Sequence, residues 1–216
     1  MAALTLESLQ KRIQHLEDVH KVQNLMGKYI YGHLAGMDAT YPDTIYAKKT
    51  PGVSSEVAHW GRYEDDDFRK VYSSGKVGFP PGTMIVHTLT TPVIEVAGDG
   101  KTAKGLWISS GHESGKNPQT GELEAFWAWT KYGVDFVKED GEWKVWHYHV
   151  YRMFKTPFDK PWTEEWEIKT GNPPGDRPVK PTKPTTYDHP YSTTTAPEYV
   201  PMPPEPYETW DDSMSY

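Results

Sequence analysis

The chain contains no cysteine. A disulfide framework, a thiolate nucleophile and a cysteine metal site are therefore excluded. It also lacks an excess of basic residues. With a net charge of -7 and a pI near 5.7, it offers no phosphate-neutralising face, so no nucleic-acid partner is expected. The same charge speaks against an anionic membrane surface. Long apolar runs are missing too. The opening "MAALTLESLQKRIQ" turns amphipathic at once, and no stretch has the length and apolarity of a bilayer span. The expectation is a soluble, cytoplasmic protein, and no internal repeat is visible.

What the chain has in abundance is aromatic surface: nine Trp and fourteen Tyr. Such rings carry a large apolar body and a polar handle. They suit a rich core and interface, and they suit a pocket for a flat ligand. At 216 residues the chain has room for one domain with a sizeable core and an extension.

Residues 5–37 read as helix. Thr5 can cap it, with Glu7 in the first turn. Leu6, Leu9, Ile13 and Leu16 recur at helical spacing on one face, and Val22, Leu25, Met26, Tyr29, Ile30 and His33 continue the stripe. Asp18 is a candidate cap for a second helix inside this region. Gly36 and "DATYPD" end it. After an irregular stretch with a short strand near Val53–Trp60, "YEDDDFRKVY" reads as a short helix with an acidic first turn.

The grammar then switches to strands. Runs over 83–96, 102–113, 122–137 and 143–152 are separated by turns such as "GDG" and "KEDGEW", which predicts an antiparallel meander. Helices followed by a meander make an α+β fold. Gly105, Gly111 and Gly133 within the runs predict a strongly bent sheet. From residue 153 periodicity vanishes, and 13 of the 19 prolines fall between 157 and 206. Five Tyr and Trp162, Trp166 and Trp210 are spread through this part, too many rings for a disordered tail. The expected organisation is a domain over 1–155 and an extended Pro/aromatic-rich arm over 156–216, packed on the domain or on a partner subunit.

Several motifs resemble the SnoaL-like members of the nuclear transport factor 2-like superfamily. They are "LEDVHKVQNLMGKYIYGHLAGMD", "HWGRYEDDDFRKVY", "HTLTTPVIEVAGDGKTAKGLW" and "KYGVDFVKEDGEWKVWHYH", in that order over residues 5–152. The resemblance implies a cone: a curved antiparallel sheet wrapped around N-terminal helices, with a deep pocket inside. It also implies activities drawn from cofactor-free dehydratases, cyclases, isomerases and carbon–carbon lyases, or simple binding. A homodimer or higher homo-oligomer through the outer sheet face, where Trp127 and Trp129 are expected, follows from the same likeness.

Carried over residue by residue, the likeness makes His87 the acid–base group. Tyr29 becomes the phenol that holds a carbonyl or leaving hydroxyl, and Tyr132 and His33 stand as its companions. Trp60, Phe126, His147, His149 and Tyr151 are expected to shape the pocket. The last three rest on alternation: if the Gly-x-Trp tryptophan, Trp143, points inward, so do Val145, His147, His149 and Tyr151, while Trp146, Tyr148 and Arg152 point out. Two departures stand out. The family's Asp one turn after the helix Tyr is replaced by His33 and Leu34, and its Asn after Leu-Thr is Thr91. Glu113, Glu122 and Glu124 read better as solvated edge carboxylates than as bases. A metal held by His87, His147 and His149 is the alternative, but no carboxylate ligand is clearly placed and the expectation is no metal and no cofactor.

The resulting functional expectation is a cofactor-independent lyase acting on a hydroxylated aromatic or polycyclic small molecule. It would release water, or cleave a C–C bond with loss of formaldehyde, as in family members acting on lignin-derived diarylpropanes. A ketone isomerase or cyclase of the same fold and a non-catalytic binder are the alternatives.

Overall fold

A computed structural model describes residues 5–117, 120–164 and 179–216. Helix α1 spans Leu6–Leu34. Its start is a capping box: Thr5 Oγ1 accepts from the Ser8 N–H at 3.1 Å, and Ser8 Oγ accepts from the Thr5 N–H at 3.0 Å. The helix runs unbroken through Asp18, which caps nothing. Asp18 is instead buried, and it accepts from Trp143 Nε1 and Lys138 Nζ, both at 2.8 Å. Those two bonds hold its carboxyl below the usual range although burial alone would raise it. Gly36, at φ +69°, takes the left-handed conformation that ends the helix.

Beyond it a 3-10 turn over Asp38–Thr40 and helix α2, Tyr41–Thr44, fold back on α1. The Tyr41 hydroxyl donates to the Tyr29 carbonyl. Gly32 makes that approach possible, since a Cβ there would sit 2.6 Å from the Tyr41 oxygen. Helix α3, Asp65–Ser73, carries three aspartates in its first turn and buries Phe68 and Val71.

Six strands form one curved, unclosed mixed sheet in the order β2-β1-β6-β5-β4-β3. Strands β3 (Met84–Val96), β4 (Thr102–Lys116), β5 (Leu123–Glu139) and β6 (Glu142–Pro157) are the expected antiparallel meander. Strand β1 (Ser54–Val57) joins β6 in parallel, and β2 (Arg62–Glu64) pairs antiparallel with β1. The core lies between α1, α3 and the concave face, where Met26, Tyr29, Tyr46, Phe68, Val134 and Phe136 are fully buried.

The pairing of β5 with β6 contains a one-residue slip. Asp135 faces His147, but Phe136 faces Val145, so Trp146 is an extra residue. Side chains alternate strictly along a strand, and one extra residue exchanges the faces of all that follow. Trp143 and Val145 therefore point into the core, and beyond the bulge Tyr148 and Val150 do. This corrects the expected phase: His147, His149 and Tyr151 point to the convex face. A second slip, Trp129 opposite Phe154 and Thr130 opposite Arg152, makes Met153 extra and brings Lys155 opposite Ala128.

The described part of the arm, 179–216, lies across that convex face. Lys183 and Arg62 exchange backbone hydrogen bonds of 2.9 and 3.1 Å, and Tyr191 N–H donates to the Met153 carbonyl at 2.6 Å. Lys104 Nζ, buried, donates to Asp135 at 2.6 Å and lies 3.8 Å from the Tyr216 ring centroid. Gly133 leaves room for that ring, which a Cβ would meet at 2.8 Å. Trp162 packs on Phe154, whereas Trp166 falls outside the described residues. Trp127 and Trp129, expected at a subunit contact, stack within the chain on Phe158 and Phe154. Among the described residues no helix is long and apolar enough to cross a membrane.

Asp18→Ala would leave the Trp143 N–H and the Lys138 ammonium without their buried acceptor. We expect a loss of about 1–3 kcal/mol in urea unfolding, with Asp18→Asn losing less because its amide oxygen can still accept from Trp143.

Candidate functional site

The concave face encloses a cavity of about 330 Å³, lined among others by Tyr29, His33, Asp38, Trp60, His87, Glu113, Tyr132 and Tyr148. Four of the expected residues come together as catalytic candidates: His87, Tyr29, His33 and Tyr132. Trp60 joins them in the wall. Phe126 shares the face of Ala128 but stands beyond the cavity wall, with Lys155 Nζ 5.0 Å from its ring centroid.

His33 and His87 face each other with ring centroids 5.6 Å apart, and each has a carboxylate. His33 Nδ1 lies 2.8 and 3.0 Å from the two oxygens of Asp38. An ionised carboxylate only accepts, so Asp38 places the proton on Nδ1 and leaves the lone pair on Nε2. Among the described residues Nε2 has no hydrogen-bond partner. The carboxylate comes from the turn five residues after His33, which Tyr41 pins to the helix.

His87 is held differently. Its Nε2 lies 3.2 Å from Glu113 Oε1, and its Nδ1 lies 3.4 Å from Ser109 Oγ. Glu113 in turn accepts from Lys155 Nζ at 2.5 Å. Burial would raise the Glu113 carboxyl, but the His87 hydrogen bond and the Lys155 ammonium outweigh it and bring the pKa down to about 2. Glu113 is thus no solvated edge carboxylate: it is a fixed negative charge in the cavity wall. Its partner Lys155 reaches it only because the bulge at Met153 turns Lys155 inward.

A phenol cluster closes the inner end. The Tyr148 ring lies 4.9 Å from Tyr29 and 5.6 Å from Tyr132, and His87 is 6.3 Å from Tyr132. Burial, the largest cause for each, raises all three phenol pKa values, so each keeps its O–H proton near neutral pH. Tyr148 was hidden from sequence reasoning by the Trp146 bulge. Nearer the arm, Arg152 also lines the cavity, with Nη1 3.3 Å from His59 Nδ1 and Nη2 2.6 Å from Asp188 of the arm.

The remaining expected residues lie on the other face. His147 Nδ1 contacts Asp135 at 3.0 Å, and its ring stacks on Trp146. His149 stacks on Tyr151 at 3.7 Å and lies 3.3 Å from Glu56 Oε1. Burial, and secondarily Arg62, drives the His149 imidazole down to about 3, and burial also raises the Glu56 carboxyl. Both are driven toward neutral forms, so this contact is not an ion pair. Three imidazoles split between two faces cannot converge, and among the described residues no cluster of three His, Asp or Glu is arranged to hold a metal ion.

A curved, unclosed mixed sheet with N-terminal helices is the fold of the nuclear transport factor 2-like superfamily. Within it the SnoaL-like domain matches residues 14–149, and the chain belongs to that family. No curated protein sequence matches it. Among solved structures, a hexachlorocyclohexane dehydrochlorinase (LinA-type3) from Novosphingobium barchaimii LL02 is similar, with a TM-score of 0.52 and 15% identity over 68% of this chain and 94% of that one. A scytalone dehydratase-like protein from Novosphingobium aromaticivorans DSM 12444 has a TM-score of 0.52 and 16% identity over 76% and 97%. The structure of LinA gives 0.54 and 12% over 72% and 99%. At these identities what is shared is the fold.

The buried neutral His149 makes stability depend on pH. Its folded pKa, near 3, lies below the ordinary 6.5, so its contribution is complete above pH 6.5. As pH falls below that, the unfolded chain takes up a proton that the folded chain refuses. Between pH 6.5 and 5 we expect this to cost about 1.4 kcal/mol per pH unit at most. Denaturant unfolding at pH 7 and 5 should show that part of the slope vanish in His149→Phe, which keeps the stack on Tyr151.

Proposed function

We propose that the chain is a cofactor-independent lyase that eliminates water from a hydroxylated aromatic or polycyclic small molecule. The observation that carries this reading is the His33–Asp38 dyad, whose Nε2 makes no hydrogen bond among the described residues, opposite the His87–Glu113–Lys155 chain across an aromatic cavity. In keeping with this, two of the structurally similar proteins are named for eliminations, a dehydrochlorinase and a dehydratase.

In the proposed reaction His33 Nε2 removes a proton from a carbon next to a carbonyl. The C–H electrons become the new C=C bond, and the C–O bond at the neighbouring carbon breaks. The departing hydroxide takes the same proton back from His33 and leaves as water. Asp38 holds the imidazole in one tautomer and stabilises the transient imidazolium. The Tyr29, Tyr132 and Tyr148 hydroxyls serve the developing enolate oxygen as protonated donors. His87 Nε2–H, in a long bond to Glu113, can be shared with the departing oxygen. The role expected for His87 thus passes in part to His33, because both nitrogens of His87 are engaged. Trp60 and the tyrosine rings supply flat walls for a ring-bearing substrate.

The test is a mass-spectrometric turnover screen over hydroxylated aromatics and polycyclic hydroxyketones, with and without chelator. Wild type is expected to release water regardless of chelator. His33→Ala should lower kcat by about 10²–10⁴-fold, the usual range for losing an acid–base group, and Asp38→Asn should also lower it. Release of formaldehyde would reassign the bond to C–C, and a product of unchanged mass would make the protein an isomerase. Ligands that raise the melting temperature without turnover would make it a binder.

A further inference from the structure

Residues 6–17 of α1 carry an apolar stripe that stays exposed among the described residues. Residues 5–17 are exposed apart from the half-buried Ser8, and Asp18 is the first buried residue of the helix. Leu6, Leu9, Ile13 and Leu16 retain 74%, 40%, 48% and 68% of their surface. These four do not continue the core stripe of Asp18, Val22, Met26 and Tyr29. At about 100° per residue the two stripes are centred roughly 165° apart around the helix. The overhanging half of α1 thus turns its apolar side away from the core to which the other half is anchored.

The spacing of the stripe is specific. Steps of three, four and three from Leu6 through Leu16 place Leu6 and Ile13 at heptad a and Leu9 and Leu16 at heptad d. The outer positions are polar, and Glu7 and Lys11 pair across one turn there at 3.1 Å. Flanking the seam, Arg12 takes a g position and Glu17 the following e position. In a parallel, in-register pair of helices, g of one chain meets the next e of the other, so Arg12 of each copy would meet Glu17 of its mate. One helix therefore carries both halves of its own charge complement. Two heptads are too few to hold an isolated coiled coil. Here the helix is already formed by its capping box and by the anchored half from Asp18 onward, so association bears no nucleation cost.

We propose that this chain self-associates through residues 6–17 of α1 as a parallel two-stranded coiled coil, with a second copy of the chain as partner and Arg12–Glu17 pairs fixing the register. The seam is about 18 Å long, below the area of a typical permanent dimer, so the association is expected to be concentration-dependent. It also leaves the cavity and the arm-covered face of each copy untouched.

Sedimentation equilibrium over a concentration series tests it, with circular dichroism as the check on folding. Leu9→Glu with Ile13→Glu should weaken self-association at least tenfold while leaving each copy folded. Arg12→Glu should weaken it, and adding Glu17→Arg should restore it. Because the chain has no cysteine, Leu16→Cys provides a second readout. In a parallel register the two thiols meet and oxidise to a covalent dimer. An average mass that is the same for wild type and Leu9→Glu/Ile13→Glu at every concentration would overturn the proposal, as would a dimer whose Leu16→Cys form fails to cross-link. If the chain's own residues 165–178 occupy the stripe, the masses will not differ, and the proposal falls.

Discussion

The single extra residue at Trp146 governs more of this protein than any one contact. A strand has only two faces, so an insertion of one exchanges them for everything downstream. Upstream of the bulge, Trp143 and Val145 fill the core and Trp143 reaches Asp18 on α1. Downstream, Tyr148 enters the cavity, while His147, His149 and Tyr151 leave it for the convex face. Without the bulge the cavity would be walled by imidazoles and the convex face by Trp and Tyr. With it, the cavity has a phenol cluster, and the convex face has polar anchors that only a covering segment could satisfy.

That covering segment is the arm. Lys104, Asp135 and Glu56 are buried polar groups, and burial of such groups costs stability unless partners are supplied. The arm supplies many of them: the Met214 carbonyl and Tyr216 ring for Lys104, the Tyr216 N–H for Asp135, and the backbone and hydroxyl of Thr186 for Glu56. Asp188 extends the same influence through the sheet to Arg152, whose guanidinium borders the cavity. The arm is thus part of the domain's electrostatic balance.

In the cavity, charge is organised in chains rather than as single groups. Asp38 orders His33, and Lys155 fixes Glu113, which fixes His87. Each chain takes its members from separate elements: the turn after α1 and the helix itself, or β3, β4 and the far end of β6. Two small backbone features make the chains possible. Gly32 lets Tyr41 pull the Asp38 turn onto the helix, and the Met153 bulge turns Lys155 toward Glu113.

Much of the architecture was legible in the residues themselves. Local features declare themselves through spacing and turn chemistry, so the Thr5 cap, the short α3 helix, the four long strands and their turns could be read directly. Tyr29 and His33 could be set on one helical stripe from their spacing, whereas His87 and Tyr132 were singled out by the family likeness; all four line the cavity. Asp18 as a helix cap, Glu113 as a solvated carboxylate and the inward His147 and His149 could not be read correctly. Each depends on a residue far away in sequence: Trp143 for Asp18, Lys155 for Glu113, and for the two histidines the pairing partner that sets the bulge. Sequence alone determined the element types and the family, because periodicity and motif order are properties of neighbouring residues. Tertiary structure alone decided which face of β6 meets the cavity and which carboxylate serves which histidine, because strand register and burial arise only when distant segments pair.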